Sequence, residues 1–402
     1  MSMKDFVYYA PTEIVFGKEA ELKAASMIQK YGGTRAFVIY GGQSAVRSGL
    51  IKRIEENLSE AGLAFQSMGG VVPNPLVSTA RKMAKAAIEF HADFILAVGG
   101  GSVIDTAKAV AHAVANPDQD FWNFWTGTPL TKSTPVGAVL TISAAGSETS
   151  NSSVLTNDEL AAPTKRGVNT DFNRCRFALM NPQLTMTLPV YQIGAGAADI
   201  FMHTSERYFA PILGNHLTDE IAEGLFRDIV HYGPIGVKDP QNYEAMSEIM
   251  WCGSVSHVGL TGLGSKGDTP RDGDWACHQL GMAISALYDS THGATLTAVW
   301  AAWAHYVMNE NVCRFAEFAR HVYGVEETDD QKAAELGIQK TNEFFRSVGM
   351  PLSLKELLGH TPNDEEIEKI TEECTFGRSR TIGSFKSLNY DDIKAIYNAC
   401  RE

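Results

Sequence analysis

Four residues in the second half of the chain have the types and spacing to hold a metal ion. Asp199 and His203 stand four apart in Ala197-Ala198-Asp199-Ile200-Phe201-Met202-His203. On a helix that spacing puts a carboxylate and an imidazole on one face, one turn apart. His278 and His292 follow, separated by fourteen residues. At about 100° per residue this is close to four full turns. Both rings then share a face of one helix, or the second curls back at a helix end marked by Gly293. One carboxylate and three imidazoles suit a first-row divalent ion, Fe²⁺ or Zn²⁺, with room for a substrate oxygen. Spacing alone does not separate this from the ordinary reading, in which helical histidines pack or face solvent and an Asp–His pair is a surface hydrogen bond. Cys277 adjoins His278, but adjacent helical positions diverge, and it reads as a packing residue. The other histidines have no partner spacing.

The first half carries a different chemistry. Ala97-Val98-Gly99-Gly100-Gly101-Ser102-Val103-Ile104-Asp105 reads as strand, glycine turn and helix. Glycines let backbone N–H groups approach an anion, and the helix N-terminus turns partial positive charge toward it. Ser102 is placed as N-cap, with Asp105 three residues on to complete a capping box. The turn suits a pyrophosphate, although it is neither the G-x-G-x-x-G fingerprint nor a P-loop, and a tight structural turn has the same pattern. A second turn, Tyr40-Gly41-Gly42-Gln43-Ser44, also follows a strand. NAD-selective sites usually place an acid there for the ribose 2′-hydroxyl. Here there are glycines, with Ser44 and Arg47 close by to receive a 2′-phosphate, which leans toward NADP. The alternative is that Ser44 caps a helix and Arg47 is solvated.

The elements that must position these groups alternate in the first half. Strands are expected at Phe6–Tyr9, Glu13–Phe16, Arg35–Tyr40, Phe65–Met68, Phe94–Val98 and Pro135–Ile142. Helices are expected at Glu19–Lys30, Ser48–Ala61, Ser78–Phe90 and Ser102–Val114. Strands apolar on both faces that alternate with helices indicate a parallel sheet covered on both sides. From about residue 190 the spacing is helical, with a loop read at Gly259–Asp274. The fold class is therefore an α/β, Rossmann-like dinucleotide-binding domain over 1–188 and an all-α metal-binding domain over 189–402, divided at Leu188-Pro189. Trp122, Phe124, Trp125 and Phe201 are candidates to line a substrate pocket, although aromatic side chains are more often core.

Composition narrows the partners. A net charge of -13 over 402 residues repels phosphate backbones and anionic membranes. Six cysteines without C-x-x-C spacing fit reduced thiols in a cytoplasmic protein. The start lacks a signal-peptide pattern, and no apolar run is long enough to span a bilayer.

Taken together, these segments resemble the iron-containing (group III) alcohol dehydrogenases, in the branch of butanol dehydrogenases and broad aldehyde reductases. The resemblance is carried by FVYYAPTEIVFG at Phe6–Gly17, GVVPNP at Gly70–Pro75, GGGSVIDTAK at Gly99–Lys108, TISAAGSE at Thr141–Glu148, the D-x-x-x-H pattern after Leu188-Pro189, and the two histidines within Trp275–Gly293. It implies that Asp199, His203, His278 and His292 are the ligands and catalytic residues, around Fe²⁺ or Zn²⁺. It also implies a dinucleotide, NADP or NAD, against Gly41, Gly42, Ser44, Asn74, Gly99, Gly100, Gly101, Ser102, Asp105, Thr141, Ser143 and Lys165. The YGGQS turn resembles the NADP-using branch, which typically has a third glycine at Gln43. The implied reaction is hydride transfer between nicotinamide and a short-to-medium aldehyde or primary alcohol, the metal polarising the substrate oxygen. A homodimer is expected, with no nucleic-acid or membrane partner. Same-fold alternatives are a polyol dehydrogenase, a dehydroquinate-synthase-like lyase, or an inactive nucleotide- or metal-binding relative. One departure stands out. Many relatives have a second histidine four residues after the one matching His278, and here it is Met282. Proton transfer then falls to cofactor hydroxyls and water, or the pocket differs, or activity is altered.

Overall fold

The computed structural model describes residues 4–161, 163–210, 215–265 and 273–402. They form two compact units. One runs from Tyr9 to Thr187, and the other comprises Leu188–Glu402 with the chain start up to Tyr8.

The first unit is built on β1 (Glu13–Phe16), β2 (Arg35–Tyr40), β3 (Ala64–Met68), β4 (Phe94–Gly99), β5 (Val136–Leu140), β6 (Ser152–Asn157), β7 (Thr164–Asn169) and β8 (Phe177–Met180). Its helices are α1 (Ala24–Lys30), α2 (Gln43–Arg47), α3 (Leu50–Glu60), α4 (Val77–Glu89), α5 (Gly101–Ala115) and α6 (Trp122–Trp125). Six strands form a parallel sheet in the order β1-β8-β5-β4-β2-β3. The chain steps from β2 out to β3, then returns to place β4 on the other side of β2. Such a reversal opens a crevice at the carboxyl ends of the two middle strands, where open α/β sheets hold ligands.

The apolar runs explain this sheet. Every residue of β4 and β5 is buried, since helices cover both faces. On one face Ala36, Val38, Leu96, Val98, Val139 and Phe177 pack against Ile28, Ile54 and Leu58 of α1 and α3. Each buried Val, Leu, Ile or Phe side chain among them contributes about 1.5–3 kcal/mol.

Several sequence expectations are corrected. Phe6–Tyr9 is not a strand. Its side chains are exposed, and just ahead of it Lys4 N–H donates to Asn215 Oδ1 at 2.7 Å, which ties the chain start to the helical unit. The expected first helix opens as a 3₁₀ turn, Ala20–Lys23, before α1. Strand β8 and the antiparallel hairpin β6–β7 were not expected. In the hairpin, half-buried residues alternate with buried ones along β6, β7 is half-buried to exposed, and Thr, Ser and Asn mask its strand character. The expected loop at 259–274 lies partly outside the described residues, and its beginning forms a 3₁₀ turn at Leu260–Gly262.

The second unit is helical: α7 (Val190–Tyr208), α8 (His216–Lys238), α9 (Tyr243–His257), α10 (Ala276–Tyr288), α11 (His292–Val307), α12 (Val312–Tyr323), α13 (Asp330–Ser347), α14 (Leu354–Leu358), α15 (Asp364–Thr375) and α16 (Tyr390–Ala399). Helix α7 is buried all round from Ile193 to Tyr208, as a helix enclosed by other helices must be. Phe201 lies inside an aromatic cluster with Phe226, Phe344 and Phe345, ring centroids 4.7–5.3 Å apart. It is a core residue. In the α/β unit Trp122, Phe124 and Trp125 are likewise buried, and Trp125 Nε1–H donates to Ser153 O. No described helix is long and apolar enough to cross a membrane.

Candidate metal centre and dinucleotide turn

Asp199 and His203 stand one turn apart on buried α7, and Asp199 Oδ1 is the hub of the centre. His203 Nδ1 lies 3.6 Å from it, His278 Nε2 3.8 Å and His292 Nε2 3.7 Å. Asp199, His278 and His292 bring one ligand atom each within 4.8 Å of one another. His203 joins through its approach to the same oxygen, and its ring packs at a tilt of 35° against His278 with centroids 4.7 Å apart. Around an ion with bonds of roughly 2.0–2.2 Å, neighbouring ligand atoms stand about 3–3.6 Å apart, so these spacings lie at or slightly beyond the upper end of a coordination sphere. His203 Nδ1 is buried and makes no hydrogen bond, which is costly for a polar atom unless something else takes its lone pair. Burial, helped by the neighbouring His257, His278 and Arg207, holds the His203 pKa well below the usual histidine range. The ring is then neutral, the form that binds metals. The donor set and this orphaned nitrogen fit a divalent first-row ion.

The route by which the last two histidines arrive differs from the sequence reading. They do not share a helix. Helix α10 ends at Asp289, whose φ of 48° is left-handed, and His292 opens α11 behind the extended Thr291. Gly293 is no helix end. It lies in the first turn of α11, where a Cβ would stand 2.1 Å from Ala195 O. Its missing side chain lets α11 touch α7 and so seats His292 beside Asp199. The signal was present in Asp289-Ser290-Thr291, residue types that end one helix and begin the next.

Three further residues at the centre were missed. Glu206 Oε1 accepts hydrogen bonds from His278 Nδ1 and from the His278 backbone N–H, both at 2.8 Å. Asp274 gathers the backbone N–H groups of Ala276, Ser384 and Phe385. The His257 ring packs at a tilt of 53° against His203, with centroids 4.2 Å apart. Burial pushes the Glu206 and Asp274 carboxyls up. A carboxylate inside a buried helix, seven residues after Asp199, was the available clue to Glu206. Cys277 is buried, its thiol pushed up by burial, and it stands outside the ligand group.

In the α/β unit the two glycine turns lie side by side, because β2 and β4 pair with Tyr40 opposite Val98. Gly100 alone separates β4 from α5 and is the N-cap residue. The expected cap is therefore corrected. Ser102 is the second residue of the helix and does not cap it. Asp105 does not reach back, because Ser147 Oγ–H and the Val154 N–H occupy its two oxygens at 2.6 and 2.9 Å. Buried Lys108 completes this join by donating to the carbonyls of Ser147 and Ser152, each at 2.7 Å, and to Ser147 Oγ at 2.9 Å. Asp105 and Lys108 thus bind α5 to the segment after β5. That segment overlies the turn: Thr141 N–H donates to Gly99 O at 3.1 Å, and a Cβ on Gly100 would stand 2.9 Å from Ile142 Cβ. Ser143 Oγ is buried nearby in sequence without a hydrogen bond. Gly41 O accepts from Gly70 N–H, Gly42 is the N-cap residue of α2, and Ser44 lies within that helix without capping it. Asn74 and Lys165, far apart in sequence, meet at 2.8 Å through Oδ1 and Nζ. The first-turn amides of Gly101 and Ser102 have no carbonyl one turn back, which leaves them for an anion.

Comparison with known proteins agrees with both halves. Residues 11–182 match the family described as iron-containing alcohol dehydrogenase, and residues 194–400 match the C-terminal part of the Fe-containing alcohol dehydrogenase family. The chain is 35% identical over 399 residues to NADH-dependent butanol dehydrogenase A of Clostridium acetobutylicum, covering 98% of this chain and 99% of that one. It is 29% identical over 402 residues to an NADPH-dependent aldehyde reductase of Escherichia coli, covering 99% of this chain and all of the other. The crystal structure of NADH-dependent butanol dehydrogenase A from Thermotoga maritima superposes with a TM-score of 0.93 at 32% identity, over 100% of this chain and 99% of that one. The chain belongs to the iron-containing alcohol dehydrogenase family.

Proposed function

We propose that this protein is a metal-dependent, NAD(P)H-linked alcohol dehydrogenase that reduces short-to-medium aldehydes to primary alcohols and catalyses the reverse oxidation. The carrying observation is the single buried oxygen, Asp199 Oδ1, approached within 3.8 Å by three imidazole nitrogens. A divalent iron or zinc ion held by Asp199, His203, His278 and His292 supplies Lewis acidity toward the reacting oxygen, and the dinucleotide supplies the hydride. The chain's own residues supply the rest. Asp199 offsets the ion's charge, and the neutral imidazoles complete its shell. Burial of Asp199, His203 and His278 keeps water from the inner side of the centre. In the α/β unit, read as the dinucleotide-binding domain over 1–188, Gly99–Ser102 hold the pyrophosphate on their amides. Thr141, Ser143, Asn74 and Lys165 line the cofactor, while Asp105 supports the turn from behind. The Met282 sulfur accepts from Gln279 Nε2 at 3.9 Å, and the side chain has no exchangeable proton, so the product's proton is delivered from elsewhere.

The glycines after β2, where an acid would favour NAD, support NADP; two relatives at 35% identity, by contrast, are named as an NADH-dependent and a probable NADH-dependent butanol dehydrogenase. The protein is read as a cytoplasmic homodimer. The test is metal analysis of anaerobically purified protein, with oxidation of NADH and NADPH followed in parallel on butyraldehyde and its homologues. Steady aldehyde-dependent oxidation of either coenzyme is expected, with Asp199→Ala and His278→Ala losing metal and turnover while still binding dinucleotide. Full activity in the metal-free double variant refutes the proposal.

A further inference from the structure

We propose that Glu206 is a positioning residue for the metal centre, fixing both the orientation and the tautomer of His278. This rests on reading Asp199, His203, His278 and His292 as the metal site. Glu206 lies seven residues after Asp199 on α7, two turns along the same face. Its Oε1 takes two hydrogen bonds from one residue, the His278 backbone N–H and the His278 ring Nδ1, each at 2.8 Å. The Trp275 backbone N–H adds a further hydrogen bond to the carboxylate. That same Oε1 already accepts the His278 backbone N–H, so it is an accepting oxygen, and Nδ1 carries the proton while Nε2 presents its lone pair. That Nε2 is the nitrogen 3.8 Å from Asp199 Oδ1.

The backbone around this contact is shaped to reach it. Trp275 has a φ of 63°, an uncommon conformation for a bulky residue. It is held there by the Asp274 N–H donating to Glu206 O at 2.7 Å and by the Arg207 guanidinium 4.7 Å over the indole. A Cβ on Gly273 would stand 2.5 Å from Glu206 O. The start of α10 is thus clamped to the end of α7 through Glu206, from both its main chain and its side chain. In metal sites, a hydrogen-bond acceptor on the outer nitrogen of a ligating histidine is worth about 10- to 100-fold in affinity.

The experiment measures cobalt(II) affinity by chelator competition, together with the visible ligand-field spectrum of the full-length protein, in wild type, Glu206→Gln, Glu206→Ala and His278→Ala. Dinucleotide affinity and far-UV circular dichroism are measured in parallel. Glu206→Gln is expected to bind cobalt(II) about tenfold more weakly and Glu206→Ala about a hundredfold more weakly, with altered spectra and unchanged dinucleotide affinity. If Glu206→Ala does not fold, the near-isosteric Glu206→Gln decides alone. Wild-type affinity and spectrum in the Glu206 variants, with loss in His278→Ala, overturn the inference and leave the metal site standing. Failure of the wild-type protein to bind cobalt(II) overturns both.

Discussion

At Asp199 a single carboxylate oxygen serves three imidazoles, and all but His292 are taken out of water. Burial strengthens every charge interaction at that oxygen and makes an unfilled arrangement expensive. A different buried histidine, away from the candidate centre, shows the same physics. His112, on α5, lies between Ser133 Oγ and Asn173 Oδ1, each at 2.8 Å. Burial lowers its pKa to about 4. The unfolded chain, with an ordinary histidine near 6.5, takes up a proton that the folded chain refuses. Stability is therefore expected to fall as pH drops from about 6.5 to about 4, by up to about 3 kcal/mol, and to level off below. Urea unfolding of wild type and His112→Gln at pH 7, 6 and 5 checks this, with the flatter profile expected for the variant.

Helix α7 supplies Asp199, His203 and Glu206, but their partners come from α10 and α11, so the centre depends on how closely these helices approach. Gly293 sets the approach of α11 to α7, and Gly194 lets α7 pack against the end of α13, since a Cβ on Gly194 would stand 2.0 Å from Val348 O. Backbone carbonyls cannot give way as flexible side chains do. Gly293→Ala is expected to push α11 off α7, destabilise the protein by about 1–3 kcal/mol or somewhat more, and weaken metal binding by moving His292. Denaturant melts paired with metal titration check both effects. A stable variant with wild-type metal affinity would mean that α11 does not seat His292.

For the molecule as a whole, the proposed ion binds the folded helical unit and has no preformed site in the unfolded chain. Its removal must therefore lower stability by mass action. At metal concentrations about a hundredfold above Kd the loss is about 3 kcal/mol. For a unit of this size that is roughly 5–10 °C in Tm. Calorimetry with and without a chelator is expected to show this drop in wild type and none in Asp199→Ala. Dinucleotide binding should persist, since its candidate residues all lie in the Tyr9–Thr187 unit.

What the sequence determined by itself is what the chain encodes over short distances. The period-2 and period-3.6 patterns, the buried run at β4 and the glycines after it, and the pairing of Asp199 with His203 on one helix follow from adjacent residues. They were legible together with the α/β-then-helical order. Tertiary structure alone decided which distant groups meet. His278 reaches Asp199 through a clamp at Glu206, 72 residues away in sequence. Lys165 finds Asn74 across 91 residues, and β8 inserts between β5 and β1. Hydrophobic periodicity specifies that a face is buried but not against what. The same residue types that made Glu206 and Asp105 look like ordinary helix polar groups become support for a site only once packing removes water and brings their partners within hydrogen-bond reach.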